Sequence, residues 1–275
     1  MSILKNHNIN PDPLKDQFFL EDGEIIGKIV EFAELDKDDV VLEIGAGIGN
    51  LTAEMAKHAG RVIAFEIDKR FKPMLSKLPE NVEMHFESAW NYVQLHGKFR
   101  KKKEYNKVVS NPPYSFIEPF LHNLTFLTYD KVILVVPKVF LGTLKGNGVF
   151  SSFFNFKILM EVPKEKFYPV PKSNSVVIEL IKLPDPLEIK NPGLYLRQYI
   201  YQHEGQLVRN SLMEGILKYA RLVHSIKVTK NQAREMIIKS GISVNSLEDV
   251  PRDSKIYFSI EEKADFILND LEKIF

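Results

Sequence analysis

Apolar residues recur at helical spacing over residues 23–35 (Ile25, Ile26, Ile29, Val30, Phe32, Ala33), which predicts an amphipathic helix. The period then changes. Val40–Ile44 is a continuous β-rich run and predicts a buried strand; Leu51–His58 returns to helical spacing. Arg61–Ile67 reads as a strand, Phe71–Leu78 as a helix, and Val82–Phe86, Lys107–Ser110 and Lys131–Val136 as further strands. Strand and helix in alternation predict an α/β fold, a parallel sheet with helices on both faces. Phe156–Val162 and Ser175–Ile181 are two strands close in sequence, fit for an antiparallel pair at one edge.

The pattern breaks near Leu183. The stretch LPDPLEIKNPG holds three prolines and a glycine and marks a linker. Beyond it the spacing is helical, over Tyr195–Gln202, Gln206–Tyr219, Lys230–Lys239 and Ile260–Ile274, with Thr229 and Ser259 placed as N-caps. Three regions are expected: a polar arm over 1–22, loose until Phe18–Leu20; the α/β domain over 23–183; and a small all-helical domain over 184–275.

Composition narrows the classes. The chain has 275 residues, 37 basic against 36 acidic, and no cysteine. A global polycation is excluded, as are disulfides, cysteine-ligated metals and cysteine nucleophiles. The N-terminus lacks an apolar signal region and no run approaches the ~18 apolar residues of a membrane span. A soluble, intracellular, cytoplasmic protein is expected.

Val40–Asn50 (VVLEIGAGIGN) is a strand entering a glycine turn and then a helix. Gly45, Gly47 and Gly49 let the backbone turn tightly and approach a ligand, and helix-terminal amides face the same space. Dinucleotide loops share this feature. Here the third glycine comes one residue early, and Glu43 stands two residues before Gly45, which suits an S-adenosylmethionine loop better. Glu66, about 20 residues on, can accept from both ribose hydroxyls.

Ser110-Asn111-Pro112-Pro113-Tyr114 follows an apolar strand. The exocyclic amine of adenine is a poor nucleophile because its lone pair is delocalised into the ring. The Asn111 side-chain carbonyl and the Pro112 backbone carbonyl can accept its two hydrogens and favour a pyramidal nitrogen. Prolines remove amide donors, so the turn presents acceptors. Tyr114 offers a face for stacking an extruded base. The chemistry needs no metal; positioning carries the rate. The same tetrapeptide type also serves glutamine amide methylation, so a nitrogen acceptor is specified and adenine is not yet singled out.

These residues resemble the ribosomal RNA adenine N6-dimethyltransferase family (the KsgA and Erm type), as a divergent archaeal-like member. Gln17-Phe18-Phe19-Leu20 is similar to its Q-[NH]-F-L segment, which closes over the cofactor. Glu43–Gly49 matches its E-I-G-x-G-x-G loop, Glu66 its ribose-binding acid, and Asn111–Tyr114 its N-L-P-Y. Phe167–Val177 carries most of its F-x-P-x-P-K-V-x-S-x-V signature, and Arg209–Leu212 its R-N-S-L. The resemblance implies a Rossmann-like class I methyltransferase domain with a helical C-terminal domain that binds RNA. It implies S-adenosyl-L-methionine as cofactor, held by Phe18, Leu20, Glu43, Gly45, Gly47, Glu66, Ser88 and Asn111. Catalysis would rest on Asn111, Pro112, Tyr114 and Phe167, the last gripping the flipped base. The partner would be RNA, either rRNA or a ribosomal subunit precursor, met by a monomer.

Several positions depart from the family. Phe18 replaces Asn or His, and Glu87-Ser88-Ala89 replaces G-D-A, leaving Ser88 with less charge and reach than Asp. Pro112 replaces Leu, the form seen in monomethylating and DNA-type enzymes, so one methyl or two is left open. Gln202-His203-Glu204-Gly205 replaces a basic Q-R-R-K, and Asn147–Ser151 lacks the arginine of Y-G-R-L-S, which weakens phosphate contact. Two rival functions follow: an RNA-binding assembly or transcription factor that kept the fold without turnover, and a DNA adenine or protein glutamine N-methyltransferase. Lys101–Lys103, with Lys98 and Arg100, is either a phosphate grip or a solvated loop. Trp90 is either a border of the cofactor adenine or core, and Phe150, Phe153, Phe154 and Phe156 either pack the core or line the cleft.

Overall fold

The computed structural model describes residues 4, 9–96, 104–127, 129–203, 206–242 and 257–263. The chain divides into two compact units, one of residues 1–141 with 156–181, the other of residues 142–155 with 182–275.

The first unit is built on the predicted alternation. The arm makes a 3-10 turn at Pro13–Lys15 and a short strand, β1 (Phe19–Leu20). Helix α1 (Gly23–Ala33) starts where Asp22 accepts from the Glu24 and Ile25 amides, both at 3.1 Å, and buries Ile25, Ile26, Ile29, Val30 and Ala33. There follow β2 (Val40–Ile44), α2 (Asn50–His58), β3 (Arg61–Phe65), α3 (Lys72–Leu75) and β4 (Val82–His85). Then come α4 (Ala89–His96), β5 (Lys107–Ser110), α5 (Tyr114–Leu124) and β6 (Lys131–Pro137). After α6 (Phe140–Gly146) and α7 (Phe150–Phe153), which belong mostly to the second unit, β7 (Phe154–Val162), β8 (Phe167–Tyr168) and β9 (Ser175–Lys182) complete the strands.

Seven strands form one sheet in the order β4-β3-β2-β5-β6-β9-β7. The β4-β3-β2-β5-β6 run is parallel, and β9 joins β6 antiparallel with Val135 opposite Val177. A second sheet pairs β1 with β8, Phe19 opposite Tyr168 and Leu20 opposite Phe167. Val41, Leu42, Val108, Val109, Ile133 and Leu134 are fully buried, which is why those strands read as unbroken apolar runs.

Two expectations change, and one unpredicted element is added. The arm is ordered well before Phe18, through side-chain bonds described below. The third strand ends at Phe65 rather than Ile67, because its pairing with β4 runs out at Phe65 and His85. The stretch after the proline turn is a full helix, α5, with Pro119 inside it.

In the second unit α8 (Pro192–Gln202) packs on α9 (Val208–His224), followed by α10 (Lys230–Lys239). Gly215 permits the close crossing, since a Cβ there would lie 2.8 Å from Leu196 Cδ2. Thr229 caps α10 with a reciprocal Gln232 bond, as its position predicts. Ser259 does not cap; residues 257–263 are helical and it lies inside. Arg197, 2 % exposed, ties this unit together: it donates to Gly148 O at 3.0 Å and Ser151 Oγ at 2.6 Å and pairs with Glu261. Phe150, Phe153 and Phe154 are core. Lys98, Arg100–Lys103, Glu204, Gly205 and residues 264–274 lie outside the described residues. Among the described residues no helix is long and apolar enough to cross a membrane.

Candidate active site

Four parallel strands end on one rim, and their C-terminal loops carry most of the residues predicted to act. The glycine turn leaves β2, Glu66 leaves β3, Ser88 follows β4 and Asn111 follows β5. This is the crevice where open α/β sheets bind ligands. The Ser110 hydroxyl donates to Ile44 O at 2.7 Å and accepts from Ile44 N at 3.3 Å. It thus stitches β2 to β5 at the point where the two loops diverge.

The glycine turn and the proline turn touch. A Cβ on Gly45 would sit 2.8 Å from Pro113 Cδ. Gly47 has φ +57°, and a Cβ there would fall 2.9 Å from the Phe19 ring. The turn is anchored by Glu66, whose Oε2 accepts from Gly47 N at 2.8 Å and whose Oε1 accepts from Asp68 N at 2.7 Å. Burial raises the Glu66 pKa, opposed by those two amides. Beneath the turn, Glu43 Oε2 accepts from Thr52 Oγ1 at 2.6 Å. Burial pushes the Glu43 carboxyl up to about 8, against the Thr52 hydrogen bond and aided by the Glu66 charge.

The N-terminal arm crosses both loops. Gln17 Nε2 donates to Asp68 Oδ2 at 2.8 Å, while Gln17 Oε1 accepts from Asp12 N at 2.8 Å. Arg70 grips Asp68 and holds its carboxyl well below the usual carboxylate range. Asn50 Nδ2 donates to Leu20 O at 3.0 Å. On the other side Asp16 Oδ2 accepts from Ser115 N at 2.9 Å, and Phe18 O accepts from Asn111 Nδ2 at 3.3 Å.

These elements enclose a cavity of about 280 Å³, near the lower bound of roughly 300 Å³ for small-molecule sites. Of the residues predicted to act, Phe18, Leu20, Glu43, Gly45, Gly47, Glu66, Ser88 and Asn111 all line it. Pro112, Tyr114 and Phe167 are not among its lining residues. Pro112 is buried behind the turn, Tyr114 lies under the Phe18 ring, and Phe167, 3 % exposed, pairs with Leu20. Trp90 stands edge-on to Phe116, centroids 5.9 Å apart, and it is Phe116 that reaches the cavity.

Sequence reasoning missed Ile67, Glu87, Phe116 and the Gln17–Asp68–Arg70 cluster. Ile67 had a usable signal: it is an apolar residue one step past Glu66, and it is 71 % exposed while lining the cavity. An apolar side chain left open at a cavity wall is a surface for a flat ring.

The donor set fits an adenosyl cofactor. A carboxylate has about four lone-pair sites, and Glu66 spends two on backbone amides, which leaves acceptors for a ribose diol. Ser88 Oγ accepts from Trp90 N at 3.2 Å, so its proton is free to donate. Fold and site together define a Rossmann-like class I methyltransferase.

Comparison with known proteins narrows the class. A family model described as ribosomal RNA adenine dimethylase matches residues 13–255. A Pyrococcus furiosus protein described as "Probable ribosomal RNA small subunit methyltransferase A" is 31% identical over 272 residues, covering 94% of this chain and 90% of that one. A Thermotoga maritima ribosomal RNA small subunit methyltransferase A is 32% identical over 232 residues, covering 78% and 80%. A solved dimethyladenosine transferase from Plasmodium falciparum shares the fold, with TM-score 0.57 at 20% identity, over 90% of this chain and 98% of that one. The chain belongs to the ribosomal RNA adenine dimethylase family. It is accordingly an S-adenosylmethionine-dependent enzyme that methylates adenine in ribosomal RNA.

Proposed function

We propose that the Asn111–Tyr114 turn receives the adenine amine and that the Gly45–Gly47 turn with Glu66 holds the donor. The contact between Gly45 and Pro113 supports this best, because it puts both loops on one cavity. When bound, S-adenosylmethionine supplies an electrophilic methyl group on a sulfonium.

Glu66 takes the ribose hydroxyls with its remaining lone pairs. Gly45 and Gly47 admit the ligand close to backbone. Glu43, kept neutral by burial, supports the turn through Thr52. Ser88 donates its hydroxyl proton to a ring nitrogen, and Phe18 and Leu20 close the arm side.

On the acceptor side, Asn111 Nδ2 is committed to the Phe18 carbonyl, so Oδ1 is the free end of the amide. Oδ1 and the Pro112 carbonyl accept the two amine hydrogens and localise the nitrogen lone pair. Tyr114 stacks the base. Phe167 packs on the arm through Leu20, and it reaches a base only when the β1–β8 pair opens.

The RNA partner in this reading is the rRNA of the small ribosomal subunit or its precursor, which the names of the relatives support. In this reading the enzyme works as a monomer in the cytoplasm. Asn111→Ala tests the assignment. Cofactor affinity by calorimetry should stay within about twofold, while methyl transfer to rRNA, read by nucleoside mass spectrometry, should fall by about 10²-fold or more. Near-normal transfer would overturn it.

A further inference from the structure

Phe18 makes two separate contacts with the proposed acceptor turn. Its carbonyl accepts from Asn111 Nδ2 at 3.3 Å. Its ring stacks on Tyr114, with centroids 5.7 Å apart and planes 21° from parallel. Phe18 and Asn111 both line the cavity, and the Tyr114 ring behind Phe18 does not. A flat ring held this way has the pose of a stacked base. No base can enter between the two rings as they stand, since two faces that sandwich a third ring lie about 7 Å apart.

We propose that Phe18 is a placeholder for the target base: its ring covers the Tyr114 face in the free enzyme, and the adenine must displace it. This rests on the reading of Asn111–Tyr114 as the acceptor site. Rotation about χ1 moves the ring and leaves the carbonyl in place. The same residue can therefore release Tyr114 while still orienting the Asn111 amide. Phe18 then acts as a specificity residue. A purine, with more flat surface than a phenyl ring, competes for the face better than a pyrimidine does.

Equilibrium dialysis of radiolabelled adenosine 5′-monophosphate tests this. The protein is saturated with S-adenosylhomocysteine, with saturation confirmed by calorimetry for each variant. Phe18→Ala should bind the nucleotide about 3- to 10-fold tighter than wild type, the worth of an aromatic pair. Phe18→Leu, which keeps apolar bulk without a stacking face, should also bind tighter, and it carries the comparison if the alanine variant loses the cofactor. Unchanged or weaker binding in both variants overturns the inference. The underlying reading fails separately: if adding Tyr114→Ala to the Phe18→Ala variant, where no ring has to be displaced, leaves nucleotide affinity unchanged, Tyr114 is not the stacking face.

Discussion

Asp16 and Ser115, ninety-nine positions apart, are joined by a 2.9 Å hydrogen bond from the Ser115 amide to the Asp16 carboxylate. Helix α5 has no side-chain cap of its own, since Pro113 occupies the N-cap position. The arm supplies the missing acceptor, and in doing so it is held against the Asn111–Tyr114 turn.

Asp16→Ala should therefore cost about 1 kcal/mol in urea unfolding, the typical loss of a capping acceptor. It should also speed proteolytic cleavage in residues 9–20. Asp16→Asn keeps an acceptor oxygen and should recover most of both. Equal stability of all three proteins would show that the bond contributes nothing.

Glu66→Ala should weaken S-adenosylmethionine binding by about 10- to 100-fold, because hydrogen bonds to a charged group contribute roughly 1.5–3 kcal/mol. It also frees the Gly47 and Asp68 amides that the carboxylate now holds. Calorimetry reads the loss, and wild-type affinity would remove Glu66 from the ribose site.

Glu43 gives the enzyme a pH signature. Its carboxyl is raised from 4.5 to about 8 in the folded chain. Between those values the folded chain holds a proton that the unfolded chain has lost, so this group's contribution to stability falls as pH rises. Urea midpoints measured from about pH 5 to about pH 8 should decline more for wild type than for Glu43→Gln, which cannot ionise. Parallel curves would mean the carboxyl is already charged at pH 5.

Gly47→Ala combines two penalties. Its φ of +57° disfavours a side chain, and the new methyl would meet the Phe19 ring at 2.9 Å. The backbone cost alone is about 1–2 kcal/mol. Lower thermal stability and weaker cofactor binding are expected together, because Phe19 packs edge-on to Phe71 on the cavity wall. A wild-type melting curve would show that the turn relaxes out of its positive φ and that Phe19 yields as well.

Much of this was readable from local pattern. Val40–Ile44, Lys107–Ser110 and Lys230–Lys239 came out with their observed bounds, since buried parallel strands and a capped amphipathic helix announce themselves by period. The glycine turn, Glu66 and Asn111 were legible because each follows such an element. Helix α5 was not, because two prolines precede it and Pro119 interrupts it. The ordered arm was hidden for a different reason. Gln17 meets Asp68 and Asp16 meets Ser115 across 51 and 99 positions, and no window of neighbouring residues contains both partners.

The order of strands at the rim has a further bearing on selectivity. Glu66 leaves β3 and Asn111 leaves β5, with β2 between them. Two inter-strand steps amount to about 10 Å, a length written into main-chain hydrogen bonding. Substitutions in the loops can change what is gripped at either end, yet they cannot alter that ruler. Any inhibitor meant to bridge both grips has its linker length prescribed before its chemistry is chosen.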